Sequence, residues 1–183
     1  MGFGFKNINN IWTGAHIGIR SAIYPSILSE YRNRVGVAMT TNEAGRRLLQ
    51  SLVEEEDKHR QTFEGIYNSL SKGRDWPPID LGTDKARDIR NTLVNTCQAL
   101  GVSVGGTSSE LDAVKVAIGK EKRSYDFYEN QASQAIYDIE KSFYEALARE
   151  EREHKLTILD YYDYLADPAG WFVKAEHPSL DGG

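Results

Sequence analysis

The stretch Leu147-Ala148-Arg149-Glu150-Glu151-Arg152-Glu153-His154 decides the fold of this chain, because its pattern recurs. Glu151 and His154 interrupt an apolar series of helical period that runs Tyr144, Leu147, Ile158, Tyr161, Leu165. An earlier stretch repeats both the series and its interruption: Leu49, Leu52, then Glu56 and His59, then Phe63, Ile66, Leu70. Each member of the later series stands 95 residues after its counterpart (144 − 49, 151 − 56, 154 − 59, 165 − 70). Spacings of three and four put these side chains on one helix face. The chain therefore carries an internally duplicated helix, polar interruption included.

A single Glu-x-x-His on a charge-rich helix is weak evidence of anything. Two at identical register in a duplicated helix are stronger, and a third stripe adds to them: Leu111, Val114, Ile118, then Glu121, then Tyr125, Tyr128, Ala132. Residues three apart lie one turn up the same face, so a Glu and a His at that spacing can direct an oxygen and a nitrogen into one small volume. Within an apolar stripe an unpaired carboxylate is costly to bury, and buried charge is tolerated when it pairs or coordinates metal. Glu56, His59, Glu121, Glu151 and His154 are thus the candidate metal ligands, three negative charges and two imidazoles that two divalent ions would largely neutralise. Glu54, Glu55, Asp57, Glu150 and Glu153 fall outside the stripes and are expected to face solvent, with Lys58, Arg149 and Arg152 as ion-pair partners.

Strand signals are poor, and helical spacing predicts four long helices at about 14–39, 41–72, 108–135 and 138–166. Thr40-Thr-Asn-Glu43 and Thr107-Ser-Ser-Glu110 fit the capping box, while Gly73 and Pro168 mark helix ends. The first helix carries Pro25, a residue that bends or starts a helix. The connection at 73–107 is too long for a turn and holds an amphipathic segment, Ala86, Ile89, Leu93, Cys97, Leu100, expected as a short crossover helix. Two tight helical hairpins joined by one long crossover give an all-α, ferritin-like four-helix bundle, a single domain over 1–183 with a tail at 167–183.

Apolar residues make up 40% of the 183, enough for one real core, and no run approaches the roughly 20 apolar residues of a membrane span. The N-terminal sequence lacks the basic and apolar regions of a secretion signal, so a soluble cytoplasmic protein is expected. With 27 acidic against 22 basic residues, the net charge of −5 disfavours nucleic acid as a partner. The single Cys97 excludes an internal disulfide and any four-cysteine metal centre, and is expected as a small core residue.

Glu121-Lys-Arg-Ser-Tyr-Asp-Phe-Tyr128, Leu147-Ala-Arg-Glu-Glu151-Arg-Glu-His154 and the tail from Trp171-Phe172 to Gly183 resemble the rubrerythrin-like branch of the ferritin-like superfamily. The resemblance spans nearly the whole chain, best from Ser109 onward. It implies a di-iron carboxylate centre in which Glu56 and Glu151 bridge, His59 and His154 each ligate one ion, and Glu121 is a terminal ligand. Manganese or another divalent ion suits the same donor set. Two departures stand out. The family's first helix supplies a carboxylate equivalent to Glu121, but the matching position (121 − 95) is Ser26. Glu30 lies four residues on, a displacement of about 6 Å at 1.5 Å per residue; either a shifted helix brings Glu30 in, or the site lacks that ligand. His16 lies further off and is expected as a surface or capping residue. In addition, Ser124 stands where rubrerythrins often carry a second glutamate, and the four cysteines of a rubredoxin-like domain are absent.

The resemblance implies a di-iron oxidoreductase, peroxidase- or ferroxidase-like, that acts on peroxide, O2 or ferrous iron with an external electron donor. A non-catalytic iron-sequestering protein and a metal-free structural bundle are the alternatives. Tyr24, Tyr31, Tyr125 and Tyr128 would line the site, chiefly as core side chains with a hydrogen-bonding tip. The resemblance also allows a homodimer through helix faces, for which Trp171 and Phe172 offer a surface.

Overall fold

A computed structural model describes residues 40, 42–79, 85–101 and 105–176. The expected helix at 14–39, with His16, Tyr24, Pro25, Ser26, Glu30 and Tyr31, lies outside the described residues. Those described form five helices and no strand: α1 (Glu43–Ser71), α2 (Lys85–Leu100), α3 (Ser108–Gln134), α4 (Asp138–Ala166) and α5 (Pro168–Glu176). None is long and apolar enough to cross a membrane.

The helix ends follow local chemistry, with two differences from expectation. α1 is capped by Asn42 rather than by Thr40: its side-chain oxygen accepts from the backbone N–H groups of Ala44 (2.9 Å) and Gly45 (3.4 Å). Thr40 instead donates its hydroxyl to Glu110, tying the approach to α1 onto the first turn of α3. Thr107 does cap α3, accepting from the N–H of Glu110. α1 closes in a Schellman motif. Gly73, at φ 67°, lets its own N–H reach Leu70 O and that of Arg74 reach Ser69 O. The second difference is in the tail, where Pro168 starts another helix. Its fixed φ suits the first helical position, and Asp167 caps the turn by accepting from Gly170 N–H.

α4 is the central element. It packs against α1, α2, α3 and α5, and the short turn at 135–137 makes α3 its antiparallel neighbour. α5 folds back on it: Trp171 is buried, donates its indole N–H to Asp160 Oδ1 (2.9 Å) and stacks edge-on against Tyr164. Trp171 is thus part of this chain's own core.

The core has two halves. One contains Phe63 of α1, Tyr128 of α3 and Leu147 of α4; the other contains Leu52 of α1, Ala117 of α3 and Ile158 of α4. On each of the three helices the two apolar anchors bracket the candidate ligands: 56 and 59 between 52 and 63, 121 between 117 and 128, 151 and 154 between 147 and 158. A polar layer therefore divides the bundle at mid-height.

Candidate metal centre

All five predicted residues of the described helices meet in that layer, and none exposes more than 3% of its surface. They form two overlapping groups. Ligand atoms of Glu56, His59 and Glu151 lie within 4.8 Å of one another, and so do those of Glu121, Glu151 and His154. Glu151 is common to both groups and would be the carboxylate shared between two ions. The imidazoles of His59 and His154 stack with centroids 6.4 Å apart. Glu30, the sixth candidate, lies outside the described residues.

The donor set fits a cation. Both oxygens of Glu151, Oε2 of Glu121 and Nδ1 of His59 are buried with no hydrogen-bond partner. Acceptor atoms enclosed in this way forfeit their hydration with nothing in exchange, a cost that a bound cation removes. Nδ1 of His59 is 3.8 Å from Glu56 Oε2 and 3.7 Å from Glu151 Oε1, so all three face a common point rather than bonding one another. A carboxylate and imidazole set suits iron, manganese or zinc by donor type.

Electrostatics report the same crowding. Burial pushes the Glu151 carboxyl well above its ordinary range, and the neighbouring charges of Glu56 and Glu121 push it further. Burial would discharge His59, but the hydrogen bond to Glu150 and the nearby charges of Glu56 and Glu150 outweigh it and carry the imidazole up to about 10. The protein without metal therefore stores protons in this layer that a cation would displace. Tyr128 borders the site: burial first, then the charges of Glu151 and Glu56, holds its phenol protonated. It stacks on Phe63 and Tyr144, which close the layer on that side.

Two expected surface residues are placed otherwise. Glu150 is only 15% exposed at its side chain, and its Oε2 lies 2.7 Å from Nε2 of His59. It points from α4 across to α1, a direction about 100° round the helix from Glu151 and therefore off the core stripe. Glu55 is likewise buried, and pairs with Lys58 at 2.6 Å. The sequence did hold a signal: the doublets Glu55-Glu56 and Glu150-Glu151 repeat at the same 95-residue offset as the candidate ligands (150 − 55, 151 − 56). Glu54 and Glu153 are exposed, as expected.

No curated protein and no solved structure matches the chain. A family model described as Rubrerythrin matches residues 31–162, a span that includes α1 to α3, most of α4 and every residue of the polar layer. With well over half its length matched and its carboxylates and histidines gathered in one buried layer, the chain belongs to the rubrerythrin family.

Proposed function

We propose that this protein holds two metal ions, iron by preference, and uses them in redox chemistry on peroxide, O2 or ferrous iron. The observation that carries the proposal is the set of buried, unpartnered acceptor atoms on Glu151, Glu121 and His59, drawn from three helices into one layer. One ion would be held by Glu56, His59 and Glu151, the other by Glu121, Glu151 and His154. Two neighbouring redox ions supply two electrons to one oxidant and so avoid releasing radicals.

The chain's own groups set the terms of that chemistry. Among the described residues the layer is flanked by Phe63, Tyr128 and Leu147 on one side and by Leu52, Ala117 and Ile158 on the other, a setting that suits small-molecule substrates. Tyr128 keeps its phenolic proton and offers a hydrogen-bond donor at the edge of an otherwise acceptor-rich site. Glu151, whose carboxyl holds a proton more tightly than a free glutamate, can release it as metal arrives. An external donor must return two electrons per peroxide reduced.

A second reading, iron held without turnover, is favoured by Ser124. This half-buried hydroxyl stands one turn beyond Glu121, where related proteins often place a further carboxylate. Metal analysis after anaerobic loading with ferrous iron tests both readings, and two equivalents per chain are expected. No bound metal would eliminate both. Peroxide consumption or ferrous oxidation faster than free iron, lost in Glu151→Ala, supports the redox reading; turnover equal to free iron leaves the holding role.

A further inference from the structure

The internal repeat extends one residue beyond the ligands, and there its two halves diverge. Glu55 stands to Glu56 and His59 as Glu150 stands to Glu151 and His154, so symmetry would give each histidine an outer carboxylate from the opposite helix. Among the described residues only one arrangement of this kind is found. Glu150 Oε2 lies 2.7 Å from His59 Nε2, whereas Glu55 Oε1 receives Lys58 Nζ at 2.6 Å instead of turning to His154. Both carboxylates are screened from water, with side-chain exposures of 15% and 10%.

We infer that this divergence makes the two metal positions unequal: the His59 position is the tight one, held so by Glu150, and the His154 position fills second. The inference rests on the two-metal reading above. Among the described residues each group holds two carboxylates and one imidazole, and there the outer carboxylate is what distinguishes the two positions. An acceptor at Nε2 fixes the proton there, leaves the lone pair on Nδ1 and holds the ring with Nδ1 facing Glu56 and Glu151. It also raises the basicity of Nδ1 as a donor to metal. Glu150 is therefore a positioning residue that acts through His59. Lys58 has the opposite effect on the other half, because it occupies the carboxylate that symmetry would assign to His154.

The test is a titration of the metal-free full chain with Co(II), followed by calorimetry and by visible absorption. The unsubstituted chain is expected to bind two equivalents in two resolved steps. His59→Ala should remove the tight step and His154→Ala should leave it. Glu150→Gln should weaken the tight step by about 10–100-fold, the range for loss of an outer partner of a metal-bound histidine. Lys58→Met should tighten the second step by freeing Glu55, a gain that no general loss of structure would produce. Circular dichroism checks helicity for each variant, and the Lys58 and histidine arms remain decisive if Glu150→Gln does not fold. Two equal steps, or a tight step lost in His154→Ala instead, would overturn the inference while leaving two-metal binding intact. Absence of any Co(II) binding by the unsubstituted chain would overturn both.

Discussion

Glu121 of α3 and Glu151 of α4 bring carboxylate oxygens within 4.8 Å of each other in a fully buried layer, and neither oxygen of Glu151 has a hydrogen-bond partner. Such an arrangement is unfavourable for the metal-free protein and favourable for the loaded one. Glu151→Gln removes the cost of keeping a buried carboxyl protonated at neutral pH and should stabilise the metal-free chain by on the order of 1–3 kcal/mol. The same substitution should abolish the stabilisation that metal confers on the parent, which is about 2.7 kcal/mol at a hundred times the dissociation constant. Urea unfolding with chelator and with Mn(II) measures both effects. A variant less stable than the parent in chelator would mean that Glu151 is satisfied without metal.

The helices were legible in the sequence because their ends carry strong local chemistry. Gly73 and Thr107 set boundaries that the structure reproduces within a residue or two. The five buried candidate ligands were legible for a different reason: the duplicated stripe makes each polar interruption visible against its copy. What escaped depends on relationships that no single helix displays. Glu150 lies off its own stripe and acquires meaning only from α1 packing beside α4. The capping role of Asn42 depends on Thr40 being drawn away to Glu110, a residue 70 positions along the chain. α5 has only nine residues, too few turns for a period to emerge.

Cys97 should be chemically silent in the folded protein. It is fully buried in the half of the core that contains Leu93 and Ile89. Burial, with a smaller contribution from the charge of Asp160, pushes its thiol up to about 12. The thiolate is the reactive form, so both access and ionisation are suppressed. A disulfide-exchange reagent at pH 8 should find no reactive thiol in the native chain and one after denaturation. Rapid reaction in the native state would show that the packing around α2 opens.

Glu140 gives a pH dependence separate from the metal layer. It is buried in the first turn of α4, and burial raises its carboxyl above the ordinary 4.5. A carboxyl with a raised folded-state pKa keeps its proton in the native chain after the unfolded chain has lost it. Stability is therefore lost as pH rises from the unfolded value through the raised one. Glu140→Gln lacks this loss. The melting temperatures of parent and variant should converge near pH 4 and separate above it, with the variant higher at neutral pH. A gap independent of pH would assign the difference to packing rather than to ionisation.

Gly45 and Gly65 lie on the same helix and should respond oppositely to alanine. Alanine is the better helix former by about 1 kcal/mol, and at Gly65 a Cβ meets nothing within 4 Å, so Gly65→Ala should stabilise the chain by about that amount. At Gly45 the added carbon would collide with Tyr161 Oη, with Cζ only 2.7 Å away. The Tyr161 ring is itself buried and stacked on Tyr164, so it cannot swing aside cheaply. Overpacking of this kind costs about 1–3 kcal/mol, more than the propensity gain, and Gly45→Ala should destabilise. Removing the hydroxyl in a Tyr161→Phe background should recover part of that loss, and denaturant midpoints for the four chains would show it. Equal stabilisation at both glycines would mean that α1 and α4 sit further apart at this end than the contact between Gly45 and Tyr161 requires.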